Sequence, residues 1–180
     1  MDKSKKSQLI SGRCIVERPK EIKIYQTIKK EKMSDKNFTA TILVEQTPTE
    51  VFNAINKPQV WWSDSITGSP EKLNEEWNYN FGDNHITKLK TIELTQDQKV
   101  VWLVLENHFK NAKDQSEWVG NKITFEISKQ GDKTELIFTQ IGLVPTYDCY
   151  KNCEWAWTGF VEKSLHSLIS TGAGQLTWYQ

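Results

Sequence analysis

Residues 147–172 read YDCYKNCEWAWTGFVEKSLHSLISTG, and this stretch decides the fold. Its apolar side chains recur at spacings of three and four residues, which is the pattern of one buried helix face. The members of this stripe are Cys153, Trp157, Phe160, Ser164, Leu165 and Leu168. Gly172 follows the stripe, and glycine commonly ends a helix. We therefore predict one long helix from about Tyr147 to Ser170.

Upstream of this helix, short runs alternate apolar and polar residues between turn residues, which is typical of antiparallel strands. The first run starts at Phe38, and the others lie near 77–81, 85–94, 100–105, 123–127 and 134–140. After the first run, Thr47-Pro48-Thr49-Glu50 has the form of a helix capping box with proline at the first helical position. Lys57-Pro58 opens a second short helix. The fold class is therefore α+β, in the order strand, two short helices, antiparallel strands and one long helix.

Charge divides the chain near Met33, although 23 basic and 23 acidic residues cancel over its 180 residues. Residues 1–32 carry ten basic and four acidic side chains, a net charge of +6. Residues 33–180 carry 13 lysines, 19 acids and no arginine, a net charge of −6. We predict a single domain over 33–180, which is long enough to bury a substantial core. The basic leader, 1–32, is interpreted as a mobile segment, a targeting signal, or sequence upstream of a start at Met33.

Composition excludes several classes of protein. No apolar run approaches the ~18 residues that a membrane span needs, and no secretory signal is visible. Cys14, Cys149 and Cys153 are too few for a disulfide framework, which favours a reducing compartment and a cytoplasmic location. The acidic body lacks arginine, so we do not expect it to bind nucleic acid.

Five motifs carry a resemblance to a known family. They are TPTEVFNAI at 47–55, Trp61-Trp62, EWVG at 117–120, FTQIGLVP at 138–145, and the 149–172 segment with Cys149, Cys153 and Trp157. On these residues the body resembles the helix-grip fold of the START/SRPBCC superfamily. It is most similar to the branch related to the C-terminal domain of the activator of the ninety-kilodalton heat-shock chaperone's ATPase, and to its small bacterial single-domain members. The resemblance implies a curved antiparallel sheet of about six or seven strands wrapped around the long helix.

The resemblance implies three candidate functions, because the superfamily includes lipid carriers, hormone-binding proteins and aromatase/cyclases. The first is a binding protein that holds a small apolar ligand between sheet and helix. The second is a protein-interaction module with a chaperone partner, using an exposed face around Trp155 or Trp61-Trp62. The third is a cyclase or hydrolase with His85 or Glu76 as base. A fold does not fix a function, and we expect a binding protein rather than an enzyme, with no cofactor.

Aromatic residues are the candidate lining of such a cavity, since the chain holds eight Trp, five Tyr and seven Phe. Strand parity and helix phase select the predicted lining: Trp61, Trp62, Trp77, Tyr79, Phe81, Phe125, Leu136, Phe138, Gln140, Trp157 and Phe160. The alternative is that these rings fill the core and leave no usable space. Gln140 stands where relatives often carry His. It is either a polar contact for the ligand or a hydrogen-bonded buried amide.

Other chemistry has weaker support in the sequence. Cys149 and Cys153 lie one helical turn apart, which suits structural thiols better than a metal site. His85 starts a strand near the aromatic run and is the best-placed candidate base, the alternative being a surface or hydrogen-bonded histidine. The acids Glu75, Glu76 and Asp83 are more typical of a solvated rim than of a catalytic pair. We therefore expect no catalytic residues and no metal.

Overall fold

The computed structural model describes residues 36–177 of the chain. The predicted leader, 1–32, lies outside the described residues. The bounds of the strands are β1 Phe38–Val44, β2 Glu76–Phe81, β3 His85–Thr95, β4 Lys99–Phe109, β5 Lys122–Gln130 and β6 Lys133–Ile141. They form one curved antiparallel sheet in the order β1-β6-β5-β4-β3-β2. The predicted α+β helix-grip architecture is confirmed, with six strands.

Two short helices follow β1, as the sequence predicts: α1, Pro48–Ile55, and α2, Pro58–Trp61. The capping box of α1 is confirmed. The Thr47 hydroxyl accepts a hydrogen bond from the Glu50 amide at 3.3 Å, and the Thr47 amide donates to the Glu50 carboxylate at 2.7 Å. These two bonds satisfy amide groups that the helix start would otherwise leave unpaired.

A cluster of tryptophans fills the space between α2 and the sheet. Trp61 stacks on Trp102 with 6.5 Å between ring centroids, and Trp102 meets Phe125 edge to face at 4.8 Å. Trp77 meets Trp102 edge to face at 4.8 Å as well. The indole N–H groups of Trp77 and Trp102 are buried without a hydrogen-bond partner among the described residues. The rings of Trp77 and Trp102 are edge to face, a geometry that aromatic pairs favour.

The closing helix spans 150–171 in three parts: α3, Tyr150–Gly159, a π-helical segment, Phe160–Leu165, and α4, His166–Thr171. It begins three residues later than predicted. The Glu117 carboxylate accepts hydrogen bonds from the amides of Asp148 and Cys149, so these two residues lie before the first turn. Gly172 follows the end of the helix, as predicted, and has the left-handed conformation common at helix ends, with φ +81°.

The π-helical segment changes which residues face the core. Six buried side chains recur every four residues, Cys149, Cys153, Trp157, Val161, Leu165 and Ile169, and the smaller Gly159 and Ser164 are buried beside them. In an α-helix a four-residue step overshoots a full turn by about 40°, so such a row drifts around the helix. A π turn contains more residues than an α turn, so it keeps residues four positions apart on the same face of the helix. Phe160 and Leu168, predicted on the inner stripe, are therefore only half-buried.

One turn between β6 and the closing helix requires glycine. Gly142 has φ +105°, and a Cβ atom there would lie 2.0 Å from the Asn121 side-chain oxygen. Its amide also donates to the side chain of Asn37 at 3.0 Å. This close packing explains the glycine within the 138–145 motif. None of the helices within 36–177 is long and apolar enough to cross a membrane.

Candidate ligand cavity

A cavity of about 530 Å³ lies between the first turns of the closing helix, the adjoining ends of β2, β3 and β4, and the 111–118 loop. Its walls are mostly aromatic: Trp62, Tyr79, Phe81, His85, Phe109, Trp118, Trp155, Trp157 and Phe160. Small and sulfur-containing side chains complete the wall: Ala112, Ala156, Cys149 and Cys153. Its remaining polar lining consists of Asn84, Asn111, Asn152 and Asp148. An apolar space with few polar groups has the character of a small-molecule site.

The sheet side of the cavity is built by the hairpin of β2 and β3. Alternation along β2 buries Tyr79 and carries Phe81 to the rim, where it is 57% exposed. Gly82, at φ +53°, permits the turn that brings His85 opposite Phe81 in the strand register. The sheet therefore contributes Tyr79, Phe81 and His85 to one edge of the cavity.

The helix side of the cavity centres on Trp157. Its ring lies 4.8 Å from Trp62 and 4.7 Å from Phe138, and Trp62 stacks on Tyr79 at 4.5 Å. The Trp157 indole N–H donates to the Gln140 side-chain oxygen at 2.6 Å. The inner wall is thus fixed by ring contacts and by one buried hydrogen bond.

His85 is held by a small polar network. Its Nε2 lies 2.9 Å from Asn107 Oδ1 and 2.7 Å from Thr87 Oγ1. Thr87 Oγ1 donates to the same Asn107 oxygen at 2.9 Å. The imidazole stacks on Phe109 at 4.0 Å and meets Trp118 edge to face at 4.7 Å. This ring-lined burial lowers the pKa of His85 from 6.5 to about 4, against the opposing effect of the hydrogen bond to Asn107, so His85 is neutral at pH 7.

Lowering the pH from 7 to 4 is expected to reduce the free energy of unfolding through His85 by up to about 3 kcal/mol. The folded-state pKa lies below the unfolded value of 6.5, so the unfolded chain takes up the proton first as the pH falls. The loss therefore begins near pH 6.5 and is complete near pH 4. Urea unfolding of the wild type and of His85→Leu at several pH values across this window measures it.

The quantity to compare is the slope of the free energy of unfolding against pH in the two proteins. Carboxylates that titrate in the same window contribute equally to both slopes, so a difference between the slopes comes from His85. His108→Leu, at an exposed position of β4, is the matched control for removal of an imidazole. An equal slope in His85→Leu and the wild type would contradict the lowered pKa of His85 in the folded protein.

Two cysteine thiols, those of Cys149 and Cys153, line the cavity wall. Hydrogen bonding to Cys149 and burial raise the pKa of the Cys153 thiol, so it stays protonated. The Trp118 indole N–H donates to Cys149 Sγ at 3.3 Å. Within residues 36–177, no group of three His, Cys, Asp or Glu side chains is placed to hold a metal ion. Both cysteines serve here as small packing residues.

The structure brings five of the eleven predicted lining residues to this cavity: Trp62, Tyr79, Phe81, Trp157 and Phe160. The other six lie in the packed core instead: Trp61, Trp77, Phe125, Leu136, Phe138 and Gln140. Gln140 is fully buried, and its Nε2 has no hydrogen-bond partner in the described part of the chain. Its oxygen contacts Trp157, so its role in this geometry is to hold the ring that lines the cavity.

Several lining residues were not predicted as such. Phe109 and Trp118 reach the cavity from a strand end and a loop, where periodicity gives no information about direction. The one sequence feature that could have identified Trp118 is its position in the 117–120 motif. Trp155 was predicted to point away from the inner stripe, and it is 60% exposed at the rim. The proposed base Glu76 lies outside the cavity, where its ion pair with Lys88, 2.8 Å away, lowers its pKa.

Comparison with solved structures finds close matches in fold. The Aha1 dimer from Colwellia psychrerythraea matches with a TM-score of 0.62 at 21% identity, over 77% of this chain and 99% of that one. A Mesorhizobium loti protein matches with a TM-score of 0.58 at 15% identity, over 73% and 96%. The chain has the helix-grip fold. An HSP90 activator from Plasmodium falciparum matches with a TM-score of 0.50 at 18% identity, over 73% and 92%.

The helix-grip assignment confirms, at the level of the fold, the resemblance to the chaperone-activator branch. No model of a protein family matches the chain, and no curated protein matches it in sequence. At these identities the likeness carries no activity from one protein to another. The function must therefore be argued from the cavity itself.

Proposed function

We propose that this protein binds a small, largely apolar ligand with flat rings in the cavity between its sheet and its closing helix. The observation that carries the proposal is the open space of about 530 Å³ walled by aromatic side chains. Ligand sites commonly have volumes of about 300–1,000 Å³ and predominantly apolar walls. The cysteine usage of the chain supports a cytoplasmic setting for this binding.

The rings around the space are suited to hold a flat molecule. The core keeps its rings in mutual contact, as in the stack of Trp61 on Trp102. At the cavity, the aromatic wall residues surround a space of about 530 Å³ among the described residues 36–177. A flat apolar ligand in this space would add further ring contacts to these walls.

Tryptophan fluorescence tests the proposal, since Trp62, Trp118, Trp155 and Trp157 all line the cavity. Titration with a panel of polycyclic aromatic compounds, sterols and fatty acids is expected to change the emission saturably for at least one ring compound. Ala156→Phe places a ring inside the cavity and should weaken that binding at least about tenfold.

Ala173→Phe is the matched control, because Ala173 is exposed and does not line the cavity. Its affinity should equal that of the wild type. Flat titrations across the whole panel would overturn the proposal, and equal affinities of Ala156→Phe and Ala173→Phe would remove the binding from this cavity.

A second candidate function is contact with a chaperone of the ninety-kilodalton class, as in the two activators found by structural comparison. The observation that favours it is the exposure of two rings, Phe81 and Trp155, at the mouth of the cavity. Exposed aromatic residues often anchor protein interfaces. Under this proposal, the protein raises the ATPase rate of the purified chaperone and Trp155→Ala reduces the increase. No increase with the wild-type protein would exclude it.

A further inference from the structure

The orientation of the Asn107 side chain decides which nitrogen of His85 carries the proton. Asn107 Nδ2 donates to the backbone carbonyl of Gln115 at 3.0 Å. A carbonyl accepts and cannot donate, so the amide nitrogen faces Gln115 and the amide oxygen Oδ1 faces His85. The Thr87 hydroxyl also donates to Oδ1, which confirms this oxygen as an acceptor.

The proton of neutral His85 therefore lies on Nε2. Nε2 is 2.9 Å from the acceptor Oδ1, and only a protonated nitrogen can bond to it. The remaining ring nitrogen, Nδ1, then carries a lone pair. Nδ1 has no hydrogen-bond partner among residues 36–177, and His85 lines the cavity.

The imidazole cannot easily turn to present its other nitrogen. It stacks on Phe109 at 4.0 Å, and the rings of Tyr79 and Trp118 meet it edge to face at 5.2 and 4.7 Å. These contacts, with the hydrogen bond from Nε2–H to Asn107 Oδ1, hold the ring in one orientation. The lone pair of Nδ1 is thus a preorganised acceptor in an aromatic wall.

The charges of the wall argue against an anionic ligand. Within the described part of the chain, no lysine or arginine lines the cavity, and the one charged lining residue is Asp148. Lys113 lies 3.9 Å from the Asp148 carboxylate, but its side chain is 92% exposed and does not line the cavity. A carboxylate entering this space would lose its hydration without gaining a cation.

We propose that the ligand is an uncharged ring compound whose hydroxyl or N–H group donates a hydrogen bond to Nδ1 of His85. This inference rests on the proposed function and adds the polar group that the cavity recognises. It makes His85 a specificity-determining residue, since a ligand without the donor leaves Nδ1 unpaired in an apolar site.

Three compounds with the same ring system test the inference: 1-hydroxypyrene, 1-methoxypyrene and 1-pyrenecarboxylate. Each is titrated at pH 7 against the full-length protein, with tryptophan quenching and pyrene emission as readouts. 1-Hydroxypyrene is expected to bind about fivefold or more tightly than 1-methoxypyrene, which lacks the donor. The carboxylate is expected to bind weakest of the three.

His85→Phe removes the acceptor and keeps a ring at this position, so it should abolish the preference for the hydroxyl over the methoxy compound. His108→Phe is the matched control and should retain the preference. If His85→Phe fails to fold, His85→Leu removes the same acceptor and should likewise abolish the preference, and equal affinities on the wild-type protein would already overturn the inference.

The outcomes separate this inference from the proposed function. Equal affinities for the hydroxyl and methoxy compounds, or tightest binding of the carboxylate, would overturn the inference and leave ligand binding in place. A hydroxyl preference that survives in His85→Phe would also overturn it. No saturable signal with any of the three compounds would overturn the inference, while the wider panel of ring compounds, sterols and fatty acids decides the proposed function.

Discussion

Trp157→Ala is expected to lower the free energy of unfolding by roughly 4–8 kcal/mol, which equals most of the stability of many domains. Trp157 is 2% exposed and contacts Trp62, Phe138 and Trp118 at the junction of sheet and closing helix. Its removal leaves a large void and also leaves the Gln140 oxygen without its donor. Thermal and urea unfolding followed by far-UV circular dichroism measure the loss.

A pair of milder variants separates the void from the hydrogen bond. Trp157→Phe and Trp102→Phe each remove a buried indole, but only the Trp157 indole N–H is hydrogen-bonded. We expect Trp157→Phe to cost about 1–3 kcal/mol more than Trp102→Phe, because it leaves a buried acceptor unpaired. Equal costs would show that the bond to Gln140 contributes no net stability.

Trp102→Ala is expected to lower the free energy of unfolding by about 3–5 kcal/mol. Trp102 is fully buried in β4 and contacts Trp61, Trp77 and Phe125 from the middle of the tryptophan cluster. In a chain of this size the loss corresponds to a fall in Tm of roughly 6–20 °C. Differential scanning calorimetry measures it.

Trp155→Ala is the matched control for Trp102→Ala, since it deletes the same side chain at a position that is 60% exposed. Surface substitutions usually change stability by less than about 0.5 kcal/mol. A Tm loss as large in Trp155→Ala as in Trp102→Ala would contradict the placement of Trp102 at the centre of the core.

Local signals in the chain predicted most of the fold. The capping box at Thr47 and the glycine stop at Gly172 act through neighbouring backbone groups, so their residues alone specify them. Alternation along β1 similarly determines which side chains are buried. The π-helical segment was missed because its effect is small at each residue and accumulates only along the row from Cys149 to Ile169.

The cavity was less predictable than the fold. Strand parity identifies the side of the sheet on which Trp77, Phe125 and Phe138 lie, and all three are buried there. It does not distinguish the packed part of that side from the part left open near His85. That difference depends on the 111–118 loop and on where the closing helix begins, and neither has a periodic signal.

The sequence alone thus determined the order of elements, their caps and the sheet side that faces the core, because short-range hydrogen bonds and periodic burial encode these features. Only the tertiary structure decided that the Gln140 side-chain oxygen accepts a hydrogen bond from Trp157. It also decided that Asn107 and Thr87 hold His85 through Nε2, with Nδ1 unpaired among the described residues. These contacts join residues 17 to 22 positions apart, apart from the near neighbour Thr87. Their geometry follows from the register of paired strands and the packing of a helix, which no local pattern records.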